Sequence, residues 1–116
     1  MHELSIAMSI VDTVIRQAEA ASALQVREVD LDIGMCSGIE FESLEFSLDV
    51  ATRNTILEAT VFNIHRIEAV AECPACQHLY SPERVFSQCP ECHQPGVRLI
   101  KGTELQIKSL LVEQNS

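Results

Sequence analysis

Two groups of residues in this sequence could hold a metal ion. The first is "CPACQHLYSPERVFSQCPECH", in which Cys73 and Cys76 form one pair, Cys89 and Cys92 form another, and twelve residues separate them. Two residues between paired thiols let both sulfurs turn toward one point, and Pro74 and Pro90 stiffen each turn by fixing φ. Four thiolates at about 2.3 Å saturate a tetrahedral zinc ion and leave no open position, so the expected role is structural, not catalytic. The second group is the opening "MHELSIAM". The amine of Met1, the amide nitrogen of His2 and the His2 imidazole can close adjoining five- and six-membered chelate rings in one plane, a geometry that suits Ni(II) or Cu(II) and not zinc.

Each group has a plainer reading. Tetrahedral sulfur also serves iron, as in rubredoxin-like sites. Gln77 and His93 follow the second cysteine of each pair, where rubredoxin-like knuckles usually carry glycine, and aromatic residues are scarce, so the sequence leans toward zinc. Two redox pairs would need a thioredoxin-like βαβ setting that this stretch lacks. At the start of the chain, His2 and Glu3 could simply be exposed residues of a first helical turn, with Glu3 favoured by the positive end of the helix dipole. His78 and His93 lie close to the cysteine pairs, either as solvated knuckle residues or as partners of a thiolate that could sense pH. Cys36 reads as a small core or loop residue, with direct metal contact as the other option, and His65 takes no role.

The elements that must position these groups follow from periodicity. Leu4, Ala7, Met8, Val11, Val14, Ile15 and Ala18 recur at three- and four-residue steps and predict an amphipathic helix that starts almost at the first residue, with Leu4 and Met8 packing to pin the terminus. "VREVDLDIG" alternates as a strand with one buried face, and Gly34 ends it. After the loop "GMCSG", Phe41, Leu44, Leu48 and Ala51 return to helical spacing, with Ser37 and Glu40 read as a capping box. "EATVFNIHRIEA" and "TELQIKSLLVE" predict two more strands. The expected fold is therefore α+β: two helices on a three-stranded sheet, residues 1–68 plus 102–116, with a small zinc-ribbon-like four-cysteine domain inserted at 69–101. A segment that short buries little apolar surface, and a structural zinc supplies on the order of 10 to 16 kcal/mol of coupled binding and folding free energy.

Composition narrows the partners. The 116 residues carry 17 Asp and Glu against 8 Lys and Arg, a formal charge of -9 that would repel nucleic acid and anionic membrane surfaces. The sequence shows no basic leader followed by a long apolar run and no stretch of about 18 apolar residues, which leads to a cytoplasmic expectation. In that compartment five cysteines speak for metal binding over disulfides. With no Ser/His/Asp arrangement, phosphate loop or open zinc site, an enzyme is not expected.

Taken together, "MHELSIAMSIVDTVIRQA", the strand ending "LDIG", "IEFESLEFSLDVAT", the paired "CPAC" and "CPEC" and the closing "GTELQIKSL" resemble the HypA/HybF hydrogenase nickel-insertion proteins over essentially the whole chain. The resemblance implies a nickel metallochaperone for nickel-iron hydrogenase maturation, and the sequence leaves open whether urease is also a client. It implies exchangeable Ni(II) at Met1, His2 and Glu3, with Glu40 as a further carboxylate that competes with its capping role, and one structural zinc at the four cysteines. The partners it implies are a nickel-handling GTPase and the hydrogenase large subunit, and it leaves room for a homodimer. The competing functions are a zinc-ribbon protein adaptor without nickel transfer and a small iron electron carrier.

Overall fold

The computed structural model describes residues 2–82, 88–94 and 98–114. It divides into two compact units: Met1–Leu31, Ile39–Ile64 and Ile107–Ser116 form the first, and Asp32–Gly38 with His65–Gln106 form the second.

The first helix, α1, spans His2–Ala20 and buries Ala7, Ile10, Val11, Val14 and Ala18. Those positions follow the 3.6-residue period, but the stripe is rotated from the expected one. Leu4 and Met8 are 38% and 59% exposed, so they do not pin the terminus; Ile10, absent from the expected stripe, is buried in their place. The second helix, α2, spans Phe41–Thr52, packs against α1, and buries Leu44, Ser47, Leu48 and Thr52. Buried Thr52 satisfies its hydroxyl on the Leu48 carbonyl at 2.8 Å.

Strand β1 covers Ala23–Gly34, β2 covers Val61–Ile67 and β6 covers Leu105–Gln114; their order in the first sheet is β2-β1-β6. Central β1 buries Val29, Leu31 and Ile33 at alternate positions, each worth roughly 1.5–3 kcal/mol of transfer free energy. Its other face is polar and fixes neighbours by side-chain bonds. Asn63 donates from Nδ2 to Glu28 and Asp30, both at 2.9 Å, while Ser109 donates to the other Asp30 oxygen at 2.9 Å. Arg27 pairs with Glu113 on the same strands.

A second sheet, which periodicity did not reveal, belongs to the second unit. Strand β3 (Val70–Glu72) lies between β4 (Leu79–Tyr80) and β5 (Arg98–Lys101), antiparallel to both. Ala71 faces Tyr80 and Glu72 faces Leu79. In the same unit, two glycines allow a close crossing: the amide of Cys36 donates to the Gly102 carbonyl at 2.7 Å, and that of Gly34 donates to the Glu104 carbonyl at 2.8 Å. A Cβ on Gly34 would collide with the Gly102 carbonyl, and Gly102 itself sits at φ +114 with Ala69 Cα 2.5 Å from its would-be Cβ.

Candidate metal centres

The cysteines arrive on two knuckles of the same design. Strand β3 runs directly into Cys73, whose amide donates to the His78 carbonyl at 2.9 Å while its own carbonyl accepts from Gln77 at 2.8 Å. The second knuckle repeats this, with Cys89 donating to Gln94 at 3.2 Å and accepting from His93 at 2.9 Å. To close the turn, Gln77 and His93 both adopt left-handed backbone, each at φ +61. The sequence already marked these two positions as ones where glycine is the usual occupant.

This turn aims backbone amides at sulfur. Cys73 accepts from the amides of Cys76 and Ala75, and Cys89 from those of Cys92 and Glu91. Cys76 accepts from His78 and Cys92 from Gln94, so six amides serve four sulfurs. The sulfurs of Cys73 and Cys92 are 3.5 Å apart and those of Cys76 and Cys89 are 3.7 Å apart, and all four lie within 4.8 Å of one another. A regular tetrahedron with metal–sulfur bonds of about 2.3 Å has edges of roughly 3.8 Å. The cluster fits a tetrahedral thiolate metal ion in both size and donor chemistry.

Four thiols packed so closely cannot all ionise alone. The amide of Cys76, with help from Ala75 and the neighbouring thiols, lowers the Cys73 pKa to about 7 against burial. Cys76 is pulled down by the His78 amide, yet burial and the thiols of Cys89, Cys73 and Cys92 push it up to about 12. Burial raises Cys89 but the Cys92 and Glu91 amides outweigh it and hold it below the ordinary thiol value; Cys92, despite the Gln94 amide, ends above that value. So close a set of sulfurs resists full ionisation by itself, and a divalent cation at their centre would let all four become thiolates. Cys73 and Cys89 are fully buried, Cys92 is half-buried and Cys76 is exposed.

The second candidate centre lies at the head of α1. Met1 falls outside the described residues. The His2 side chain is 68% exposed, and its Nε2 stands 3.8 Å from Glu3 Oε2. Glu3 is largely sheltered, and the same oxygen accepts the Glu40 amide at 3.2 Å. That bond, then the amide of Glu3 itself and the nearby His2, hold the Glu3 carboxyl below its usual range against some burial. Glu40 is the N-cap of α2: its carboxylate accepts from the amides of Glu42 at 3.2 Å and Ser43 at 2.8 Å, and from the Ser43 hydroxyl at 2.6 Å. The expected capping box is thereby corrected. The helix begins at Phe41, so Glu40 itself occupies the cap position and Ser37 lies in a turn, its amide on the Gly34 carbonyl.

Thus His2, Glu3 and Glu40 are brought together in the first unit by a bond between the two helix starts. Cys36 is half-buried in the turn after β1, in the second unit. His78 is half-buried and stacks on Tyr80, His93 is an exposed knuckle residue, and His65 is exposed on β2. Beside Glu3, the exposed side chains of Leu4, Phe46 and Val50 line a groove of about 390 Å³ whose rim carries Glu40 and Glu42.

An α+β unit with two packed helices, and a small sheet whose knuckles bring four thiols together, define a chain equipped to hold a metal ion. The family described as "Hydrogenase/urease nickel incorporation, metallochaperone, hypA" matches residues 1–112. The chain belongs to that family of hydrogenase maturation factors. It is 41% identical to the hydrogenase maturation factor HypA of Parabacteroides distasonis, over 98% of this chain and 99% of that one. It is 37% identical to the hydrogenase maturation factor HypA of Pelodictyon phaeoclathratiforme, over 98% and 97%. The solution structure of the Ni metallochaperone HypA from Helicobacter pylori superposes with a TM-score of 0.70 at 21% identity, covering 99% of this chain and all of that one, a likeness of fold. No described helix is long and apolar enough to cross a membrane.

Proposed function

We propose that this chain carries Ni(II) as cargo for nickel-iron hydrogenase maturation, with urease as a second client, and that one structural zinc ion occupies Cys73, Cys76, Cys89 and Cys92. The cargo site consists of the Met1 amine, the His2 amide and imidazole, and the Glu3 carboxylate, with Glu40 as a second carboxylate beside it. The observation that carries this reading is the Glu3–Glu40 bond at the head of α1, which holds a carboxylate beside His2 in a chain of this family. Glu40 already accepts three bonds as the cap of α2, which favours its positioning role over direct ligation.

A site built from a backbone amine, an amide and one imidazole must lose protons to bind nickel, so affinity weakens as pH falls and the metal is released readily. The docking partners are a nickel-handling GTPase and the hydrogenase large subunit in the cytoplasm, and the acid-rimmed groove beside Glu3 provides surface next to the cargo. Self-association as a homodimer belongs to the same proposal, as does the division into a nickel domain, 1–68 plus 102–116, and a zinc domain, 69–101. The zinc site is closed and exerts its effect through folding. Equilibrium dialysis of tag-free, zinc-loaded protein against Ni(II), beside a His2→Ala variant, tests the cargo site. One exchangeable nickel in the wild type and a loss of at least tenfold in affinity in the variant are expected. Zinc without loadable nickel would instead mark a zinc-ribbon adaptor.

A further inference from the structure

Tyr80 bears the one buried side-chain polar atom that has no hydrogen-bond partner among the described residues. Buried tyrosine hydroxyls normally find a partner, so an orphaned one asks what it is waiting for. Register shows where the ring is. Tyr80 stands opposite Ala71 on the antiparallel pair β3 and β4, so the two side chains share one sheet face. Cys73 follows directly after β3 and His78 directly before β4, and the Cys73 amide donates to the His78 carbonyl at 2.9 Å, which continues the pairing one step beyond the strands and brings the first knuckle next to Tyr80's strand. The His78 and Tyr80 rings stack there, with centroids 6.0 Å apart and planes 10° from parallel. The phenol therefore lies on the cysteine side of this sheet.

Electrostatics agrees with that placement. Burial, reinforced by any negative charge on the neighbouring cysteines, holds the phenol above its ordinary pKa, so it stays a donor. While the sulfurs are thiols they bond to each other, Cys73 with Cys92 and Cys76 with Cys89, and a neutral thiol is a weak acceptor. Metal loading turns all four into thiolates, with a net charge of -2 around one divalent ion, and makes each a strong acceptor.

We propose that Tyr80 is a positioning residue of the metal centre, its hydroxyl donating an O–H···S hydrogen bond to a thiolate of the loaded cluster and so slowing metal loss. This adds a seventh donor to the six backbone amides, and it is the one that a side-chain substitution can remove. It rests on the reading that the four cysteines hold zinc.

The hydroxyl deletion Tyr80→Phe distinguishes this from a merely structural ring, because the two ideas predict opposite signs. An unsatisfied buried hydroxyl is unfavourable, so its removal would leave zinc retention equal or improved. A hydroxyl bonded to a thiolate is favourable, so its removal loosens the metal. Wild type and Tyr80→Phe, each carrying one zinc by native mass spectrometry, are mixed with excess 4-(2-pyridylazo)resorcinol and the transfer rate is followed by absorbance. We expect roughly tenfold faster transfer from the variant, the size of one charge-assisted hydrogen bond. Equal or slower transfer overturns the inference. Independently of any variant, wild type loaded with 113Cd should show a slowly exchanging Tyr80 hydroxyl proton with a scalar coupling to cadmium, and absence of that coupling likewise overturns it. Wild type that takes up no zinc would overturn the zinc reading itself and the inference with it.

Discussion

Substituting Gly34 with alanine tests the close crossing of backbone at Gly34 and Gly102. The new Cβ would penetrate the Gly102 carbonyl and stand 2.5 Å from the Thr103 nitrogen, all backbone atoms that no rotamer change can move aside. Comfortable carbon contacts lie at about 3.5–4.0 Å, so the two segments must separate by more than about 1 Å. Separation on that scale stretches the Cys36-to-Gly102 bond, now 2.7 Å, and the Gly34-to-Glu104 bond, now 2.8 Å. Each such bond is worth about 1 kcal/mol, and overpacking adds about 1–3 kcal/mol, giving a loss on the order of 3–5 kcal/mol. Gly38→Ala is the control. Nothing lies within 4 Å of its would-be Cβ, and only its φ of +83 is unfavourable, a cost of about 1–2 kcal/mol. Urea unfolding of the zinc-loaded protein, followed by circular dichroism, should rank Gly34→Ala well below Gly38→Ala, with the amides of Gly34 and Cys36 losing exchange protection first. Equal destabilisation by the two substitutions would refute the reasoning.

Three further outcomes follow from the same structure. Removing the metal with a chelator should abolish exchange protection at Ala71 and Cys73 while α1 amides such as Val14 stay protected; one cooperative loss across both units would contradict it. The Glu3 carboxyl, depressed in the folded state by the Glu40 amide, contributes stability that is present above the unfolded value and lost as pH falls through the lower folded value, so the Glu40 amide resonance should titrate with a midpoint below 4.5, and a midpoint above it would be inconsistent with the bond. Replacing Gln77 with glycine relieves left-handed backbone at φ +61 and should be neutral or stabilising by up to about 1 kcal/mol in thermal unfolding, whereas a marked loss would mean that the Gln77 side chain matters more than its backbone.

How much of this was legible beforehand differs by element. The alternation of Val29, Leu31 and Ile33 identified β1, because a strand with one dry face writes a period of two. In α1, Val11, Val14 and Ala18 were read as core and are buried, but Leu4 and Met8 were not distinguished from them. A helical stripe about 100° wide gives the period of the core and not which edge a neighbour covers, and here Leu4 is left in the wall of a groove while Met8 is exposed. The second sheet was missed because strands of two to four residues are too short to express any period.

The cysteine spacing was the strongest signal, since two residues between thiols already imply a common focus. The six amides aimed at sulfur follow from backbone conformation, which composition does not encode except through the non-glycine residues at 77 and 93. Glu40 illustrates a near miss of another kind. Its part in starting α2 was visible, but a shift of three residues in the helix start turned an inner member of the capping box into the cap itself. The Glu3–Glu40 bond joins residues 37 apart in sequence and had no local pattern to announce it.

The central claim is that nickel sits on nitrogen and oxygen at the head of α1, separate from the thiol cluster. Nickel-edge X-ray absorption on untagged protein with zinc already bound reads the donor atoms directly. The account predicts a shell of nitrogen and oxygen with an imidazole outer-shell signal that disappears in His2→Ala, while the zinc edge stays sulfur-ligated. A nickel spectrum dominated by sulfur, or one unchanged by loss of His2, would contradict it.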